Sequence, residues 1–154
     1  AWRPLLLQIT TFTLAHTTTL GLSTLSIITI HDSQMWLVEA LIAASISYVA
    51  IENILRPKLG WWRIVIVFLF GLLHGLGFAS VLGDLGLTQG QFVLSLVAFN
   101  IGVEFGQLTV IALAFTLLAM PFGRFALYQT VVVVPCSLGI AIVGVWWTLE
   151  RVFL

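Results

Sequence analysis

The sequence predicts an all-α, polytopic membrane helix bundle with five transmembrane helices, and three observations carry that expectation. Of its 154 residues, 60% are apolar and 8% charged, and the mean hydropathy is +1.15. A soluble domain is about 45–50% apolar and about 25% charged, so this chain could not cover a water-facing surface. Five stretches, residues 5–30, 35–55, 62–82, 92–118 and 130–154, each hold the roughly 20 residues that cross about 30 Å of hydrocarbon at 1.5 Å per residue. The intervening stretches, 31–34, 56–60, 83–91 and 121–129, collect the turn formers and many of the charges.

Each span reads as a helix because backbone polar groups in lipid must be satisfied within the segment, and barrel strands would be about half as long. No linker separates two domains, so residues 1–154 form one transmembrane unit. The chain opens on Ala1 without a basic region, short apolar core and cleavage site, and is expected to be part of a longer protein. Six basic and six acidic side chains cancel, which removes nucleic acid and anionic membrane surfaces as natural partners. The single cysteine, Cys136, excludes an intrachain disulfide and a cysteine-cluster metal site, and reads as a buried thiol.

Charge sets the orientation. Five crossings put Arg3, Arg56, Lys58, Arg63 and Arg124 on one side and Arg151 alone on the other. The positive-inside bias then makes the start of the chain cytoplasmic and its end external. Trp2, Trp61 and Trp62 fall at the expected inner ends and Trp36, Trp146 and Trp147 toward the outer ends, as interfacial belts require.

The polar residues inside the spans carry the functional information. An ionisable group at a helix centre costs about 2.5–3.5 kcal/mol on insertion scales, so it faces a partner or a wet cavity. His16 lies about eleven residues into the first span, His74 about twelve into the third, and Glu104 about fourteen from the inner end of the fourth. At 1.5 Å per residue their depths agree to roughly 5 Å. Three helices could therefore bring two imidazoles and a carboxylate together near the midplane.

Asn100, Glu104 and Gln107 share one helical face, with Gly102 and Gly106 beside them as a small-xxx-small pair that admits another helix. Gly71, His74, Gly75 and Phe78 share a face of the third span, so tight packing is expected where the imidazole emerges. Threonines surround His16, with Thr13 on its face. These polar groups read equally as interhelical hydrogen-bonding contacts. At the outer end Glu39, with His31 and Asp32, could collect a cation, although solvated loop ends explain His31 and Asp32 as well. Glu52 reads as an ion pair with Arg56 four residues on, and Glu150 and Arg151 as interfacial.

Gly75-Leu76-Gly77 lacks the preceding strand of a dinucleotide fingerprint, and no Walker loop, nucleophile elbow or zinc-protease motif occurs. Met35 and Met120 lie at span ends, which suggests no copper(I) relay. Nothing points to an enzyme or to a resident cofactor.

Four segments carry a family resemblance. Phe12-Thr13-Leu14-Ala15-His16-Thr17-Thr18-Thr19-Leu20, Val38-Glu39-Ala40-Leu41-Ile42-Ala43, Phe70-Gly71-Leu72-Leu73-His74-Gly75-Leu76-Gly77-Phe78-Ala79 and Phe99-Asn100-Ile101-Gly102-Val103-Glu104-Phe105-Gly106-Gln107 resemble the HupE/UreJ family of bacterial membrane proteins. The likeness covers about residues 2–107, with the last span fitting in hydropathy only. It implies an all-helical, multi-pass permease of the bacterial inner membrane, associated with nickel or cobalt supply. It also implies that His16, Glu39, His74, Asn100 and Glu104 occupy the family's intramembrane polar positions. The family pattern usually opens with a helix bearing a His…Asp-His motif, which this chain does not include.

The expected chemistry is passage of Ni²⁺ or Co²⁺, since imidazole and carboxylate suit such ions and the lack of thiolate disfavours Cu(I). His16, His74 and Glu104 would supply a midplane site, Glu39 with Asp32 an outer collecting point, and Asn100 and Gln107 orientation of ligands or water. Ligands must be deprotonated, so transport should couple to protons. Two further readings stand beside it. One is an accessory or structural subunit of a larger membrane assembly or homo-oligomer. The other is an electron-transfer subunit with haem between His16 and His74.

Overall fold

The computed structural model describes the backbone of residues 2–56, 60–84, 89–122 and 127–154. Within these, side chains are described except at residues 2, 24, 32, 80–84, 89–93 and 122. Helices are α1 (Trp2–Thr24), α2 (Asp32–Leu55), α3 (Trp62–Asp84), α4 (Gln89–Ala114), the short α5 (Met120–Phe122) and α6 (Val134–Phe153). A π-helical turn, Phe115–Ala119, joins α4 to α5, and another, Gln129–Val133, leads into α6. The long elements match the expected spans, and no strand occurs among the described residues.

The expectation of five spans is met for four elements. Four of the five long elements, Ser33–Leu55, Trp62–Ala79, Leu94–Ala119 and Gln129–Phe153, are long and apolar enough to cross a membrane. The first is not. Its threonines, Gln8 and His16 lower its hydropathy, and its helix ends earlier than the sequence suggested. The end is a Schellman motif: Ile27 N–H bonds the Leu22 carbonyl, Ser26 N–H bonds the Ser23 carbonyl, and Ser26 sits at φ 58°.

Helix directions alternate. Gly71 lies against Phe12 and Ala15, and Gly75 against His16 and Leu20, so α1 and α3 run parallel. Ser47 faces Ala141 and Gly144 while Glu39 reaches Arg151, so α2 and α6 are antiparallel. Thr17 bonds Asn100, which joins α1 to α4. α1 packs mainly on α3 and α2 mainly on α6; the two pairs join through α2 and α3, and α4 leans on α1.

Small side chains make this packing possible. A Cβ on Gly71 would lie 2.7 Å from the Phe12 carbonyl oxygen, and one on Gly75 would collide with Thr19 Oγ1 and the His16 carbonyl. Gly144 is closed in the same way by Ser47. Thr19 Oγ1 donates to the Leu72 carbonyl at 2.7 Å and ties α1 to α3 directly. With lipid as apolar as any leucine, close backbone approach and interhelical hydrogen bonds hold such a bundle together. The buried set is accordingly rich in small side chains, Ala15, Ala40, Ala43, Ala50, Ser45 and Ser47, beside a few aliphatics such as Ile9, Leu20 and Val38.

α4 is different. None of its described side chains is buried. Gly102 and Gly106 have open space where a Cβ would stand, so the close helix approach expected there is not made. Cys136 is exposed on the outer surface of α6, which corrects its reading as a buried thiol. Lys58, Arg124 and the Asp32 side chain, all used in the sequence reading, lie outside the described residues.

Candidate functional site: a histidine pair in an aromatic cage

His16 is one of the two largest fully buried side chains, at 1% exposure, the other being Leu20. Its ring stacks on Phe12 (centroids 5.9 Å) and Phe99 (6.1 Å) and meets Phe78 edge to face at 5.5 Å. Phe12 lies one helical turn before His16, so α1 itself supplies one wall. α3 supplies the second and α4 the third. Among the described residues, neither ring nitrogen of His16 has a hydrogen-bond partner. A buried polar group left so costs about 1–3 kcal/mol, a penalty that structural packing alone gives no reason to carry.

His74 meets the same Phe12 ring from α3, T-shaped at 5.2 Å. Its Nδ1 stands 2.7 Å from the Phe70 carbonyl. That oxygen can only accept, so Nδ1 carries the proton and the neutral ring keeps its lone pair on Nε2. A backbone carbonyl fixing the tautomer and ring orientation is the usual support of a metal-binding histidine. His74 also lines a cavity of about 320 Å³ together with Phe12, Ser45, Asn53 and Phe70.

The surroundings of the pair are polar and incompletely satisfied. Thr13 Oγ1 and Gln107 Oε1 are buried without partners among the described residues. Thr17 Oγ1 donates to Asn100 Oδ1 at 2.6 Å, so Asn100 is engaged in holding α4 on α1. Glu104 is half-buried on α4, and no hydrogen bond or ion pair reaches its carboxylate among the described residues. Of the expected set of His16, His74 and Glu104, the two imidazoles flank one Phe12 ring, and no contact joins Glu104 to either among the described residues. Among the described residues, no three His, Cys, Asp or Glu side chains stand together as a closed metal site.

The two ends of α2 also differ from expectation. Glu39 does not stand as a free collecting carboxylate; its Oε2 is 3.3 Å from Arg151 Nε. Glu52 lies not against Arg56 but 4.0 Å from Arg63 of α3, with both side chains buried. Arg63 Nη2 also donates to Asn53 Oδ1. Arg56 lies over the Trp62 ring, 4.9 Å from its centroid. The i, i+4 rule pointed to Arg56 because it sees one helix only, whereas the antiparallel approach of α3 brings a better-enclosed partner.

The phenylalanine cage, Ser45 and Asn53 escaped the sequence reading as functional positions. The spacing of Phe12 to His16 and His74 to Phe78 was available as a signal, since i, i+4 places an aromatic beside each imidazole. Phe99 had no such local cue.

The fold and this arrangement define a polytopic α-helical membrane protein with an imidazole from each of two parallel helices set against one phenylalanine ring. The family model described as HupE / UreJ protein matches residues 1–151, and the chain belongs to that family. No curated protein and no solved structure matches it.

Proposed function

We propose that the protein is a permease for a divalent transition-metal ion, nickel or cobalt foremost, and not an enzyme. The observation that carries this reading is the histidine pair: His74 is held with Nε2 as its free lone pair, and His16 has two unpartnered nitrogens in a buried cage. Family membership and the nickel or cobalt association that the resemblance implies support it. Neutral imidazoles suit Ni²⁺, Co²⁺ and Zn²⁺.

In this reading Phe12 swings aside to let one ion bridge His16 and His74, and Glu104 supplies the balancing carboxylate when α4 shifts toward them. The absence of buried side chains on described α4 makes it the helix freest to move. Asn100 and Gln107 orient ligands or water, and Glu39 serves the outer end once Arg151 releases it. α1 crosses the bilayer with the other four long elements, shielded by α3 and α4, with the start of the chain cytoplasmic in a bacterial inner membrane. Protons compete with the ion for every ligand, so flux couples to pH.

The test is uptake of radiolabelled nickel or cobalt into proteoliposomes. Wild-type protein accumulates the ion, and His74→Ala and Glu104→Gln each abolish it in folded protein. Unchanged uptake in both variants removes the histidine pair and its carboxylate from the mechanism.

A second reading, an accessory subunit, is favoured by one observation: the Gly102 and Gly106 stretch of α4 is open, with Phe105 67% exposed beside it. Stoichiometric copurification of a membrane partner, without ion flux by the isolated chain, distinguishes it. Haem is disfavoured by the packing, because phenylalanine rings fill the space around His16 that a porphyrin would occupy.

A further inference from the structure

Two cavities lie end to end along one face of α2. The first, about 350 Å³, is walled by Glu39, Ile42, Ala43 and Ile46 of α2, with Gly77 of α3 and Arg151 of α6 among its other walls. The second, about 320 Å³, is walled by Ile46, Val49, Ala50 and Asn53 of α2, with His74 of α3 and Ile140 of α6. Ile46 is the one residue common to both. Glu39, Ile42, Ile46, Val49 and Asn53 recur every three or four residues, so they form a single stripe on the helix. From Glu39 to Asn53 that stripe rises about 21 Å, most of the roughly 30 Å hydrocarbon core.

Each end of the stripe carries an arginine held by a carboxylate. Arg151 pairs with Glu39 and itself lines the first cavity. Arg63 donates to Asn53, which lines the second, and stands against Glu52. A guanidinium in a cavity wall, as Arg151 is in the first, or one residue behind it, as Arg63 is behind Asn53 in the second, opposes entry of a dication until it is drawn away. Halfway along, Ile46 walls both cavities, and an apolar side chain in such a place blocks ions by excluding water.

We propose that the transported ion travels along this face of α2, between α2, α3 and α6, with Ile46 as the barrier between two end cavities and Arg151 and Arg63 as the plugs of its mouths. The proposal rests on the transport reading and adds a route, a gate and two closures to it. His74 stands in the wall of the second cavity, where an ion passing Ile46 reaches its Nε2. The route also gives Glu39 a use: once Arg151 releases it, its carboxylate is the first ligand an entering cation meets. Opening one ion pair at a time would expose Ile46 to one face of the membrane only.

The test uses purified protein in proteoliposomes, in a Cys136→Ser background with Val49→Cys as reporter. A membrane-impermeant methanethiosulfonate reagent is applied from the Glu39 side. Ile46→Ala is expected to speed modification of the reporter by about tenfold, as removal of a hydrophobic barrier should. Ile46→Trp is expected to lower uptake of radiolabelled nickel by about tenfold, with nickel binding by the same protein unchanged. Reporter modification indifferent to Ile46→Ala overturns the route, as does full uptake by folded Ile46→Trp protein. Should Ile46→Trp not fold, the thiol readout with the smaller alanine decides alone. Wild-type protein that moves no divalent ion defeats the transport reading, and the thiol measurement still decides whether Ile46 divides a lumen.

Discussion

Thr19 of α1 donates its hydroxyl to the carbonyl of Leu72 on α3 at 2.7 Å, beside the place where Gly75 lies against the His16 backbone. Glycine lets the two parallel helices approach closely enough for the hydroxyl to reach a carbonyl already used in its own helix. The same approach brings His16 and His74 to one phenylalanine ring.

Gly75→Ala tests this directly. The added methyl meets Thr19 Oγ1 and the His16 carbonyl, both on α1, so the helices must separate. A loss of about 1–3 kcal/mol is expected, as for other overpacked sites. Gly102→Ala is the control, since nothing stands within 4 Å of its new methyl. Thermal unfolding in detergent should show a lower midpoint for the first variant and little change for the second.

This contact was legible in the sequence, where Gly71 and Gly75 flank His74 at helical spacing. Helix existence and alternation were equally legible, because a rise of 1.5 Å per residue and the positions of the turns need no tertiary information. Azimuth was not. Glu104 matches the histidines in depth, yet whether α4 turns its carboxylate toward them depends on a helix pairing that periodicity does not encode. The apolarity of α1 was overread because its length and leucines drew attention from its threonines, which lower its hydropathy even where, as at Thr18, the hydroxyl returns to a carbonyl of its own helix.

The two ion pairs of α2 should respond very differently to substitution. Glu52 and Arg63 are buried, so Arg63→Met alone strands a carboxylate and should cost about 3–5 kcal/mol, with much of the loss recovered in Glu52→Gln/Arg63→Met. Arg151 and Glu39 are 56% and 40% exposed, and Arg151→Gln should cost less than about 1 kcal/mol. Chemical unfolding of the four proteins reads the contrast. Equal losses at both ends would mean the Glu52–Arg63 pair is solvated.

Thr17→Val removes the hydrogen bond between α1 and α4 side chains and leaves Asn100 Oδ1 without that donor. Interhelical hydrogen bonds in membranes average about 0.6 kcal/mol, so global stability should barely move. Accessibility of α4 should move more. Faster hydrogen exchange confined to α4 is the expected result, and uniform exchange across the bundle would show that the bond does not tether it.

Ion binding should weaken as the pH falls. A bound ion requires both imidazoles neutral, so each proton that must leave His16 or His74 changes the apparent affinity by up to about tenfold per pH unit in the acid range. Titration of purified protein with Co²⁺ at several pH values measures the slope. Affinity independent of pH would place the ion away from both rings.

The central claim is that one divalent ion is held by His16 and His74 together, and X-ray absorption of the cobalt-loaded protein measures it most directly. The account predicts imidazole scattering from two ligands in the wild type and from one in either His16→Gln or His74→Gln. A cobalt shell built of oxygen alone, unchanged in both variants, would contradict it.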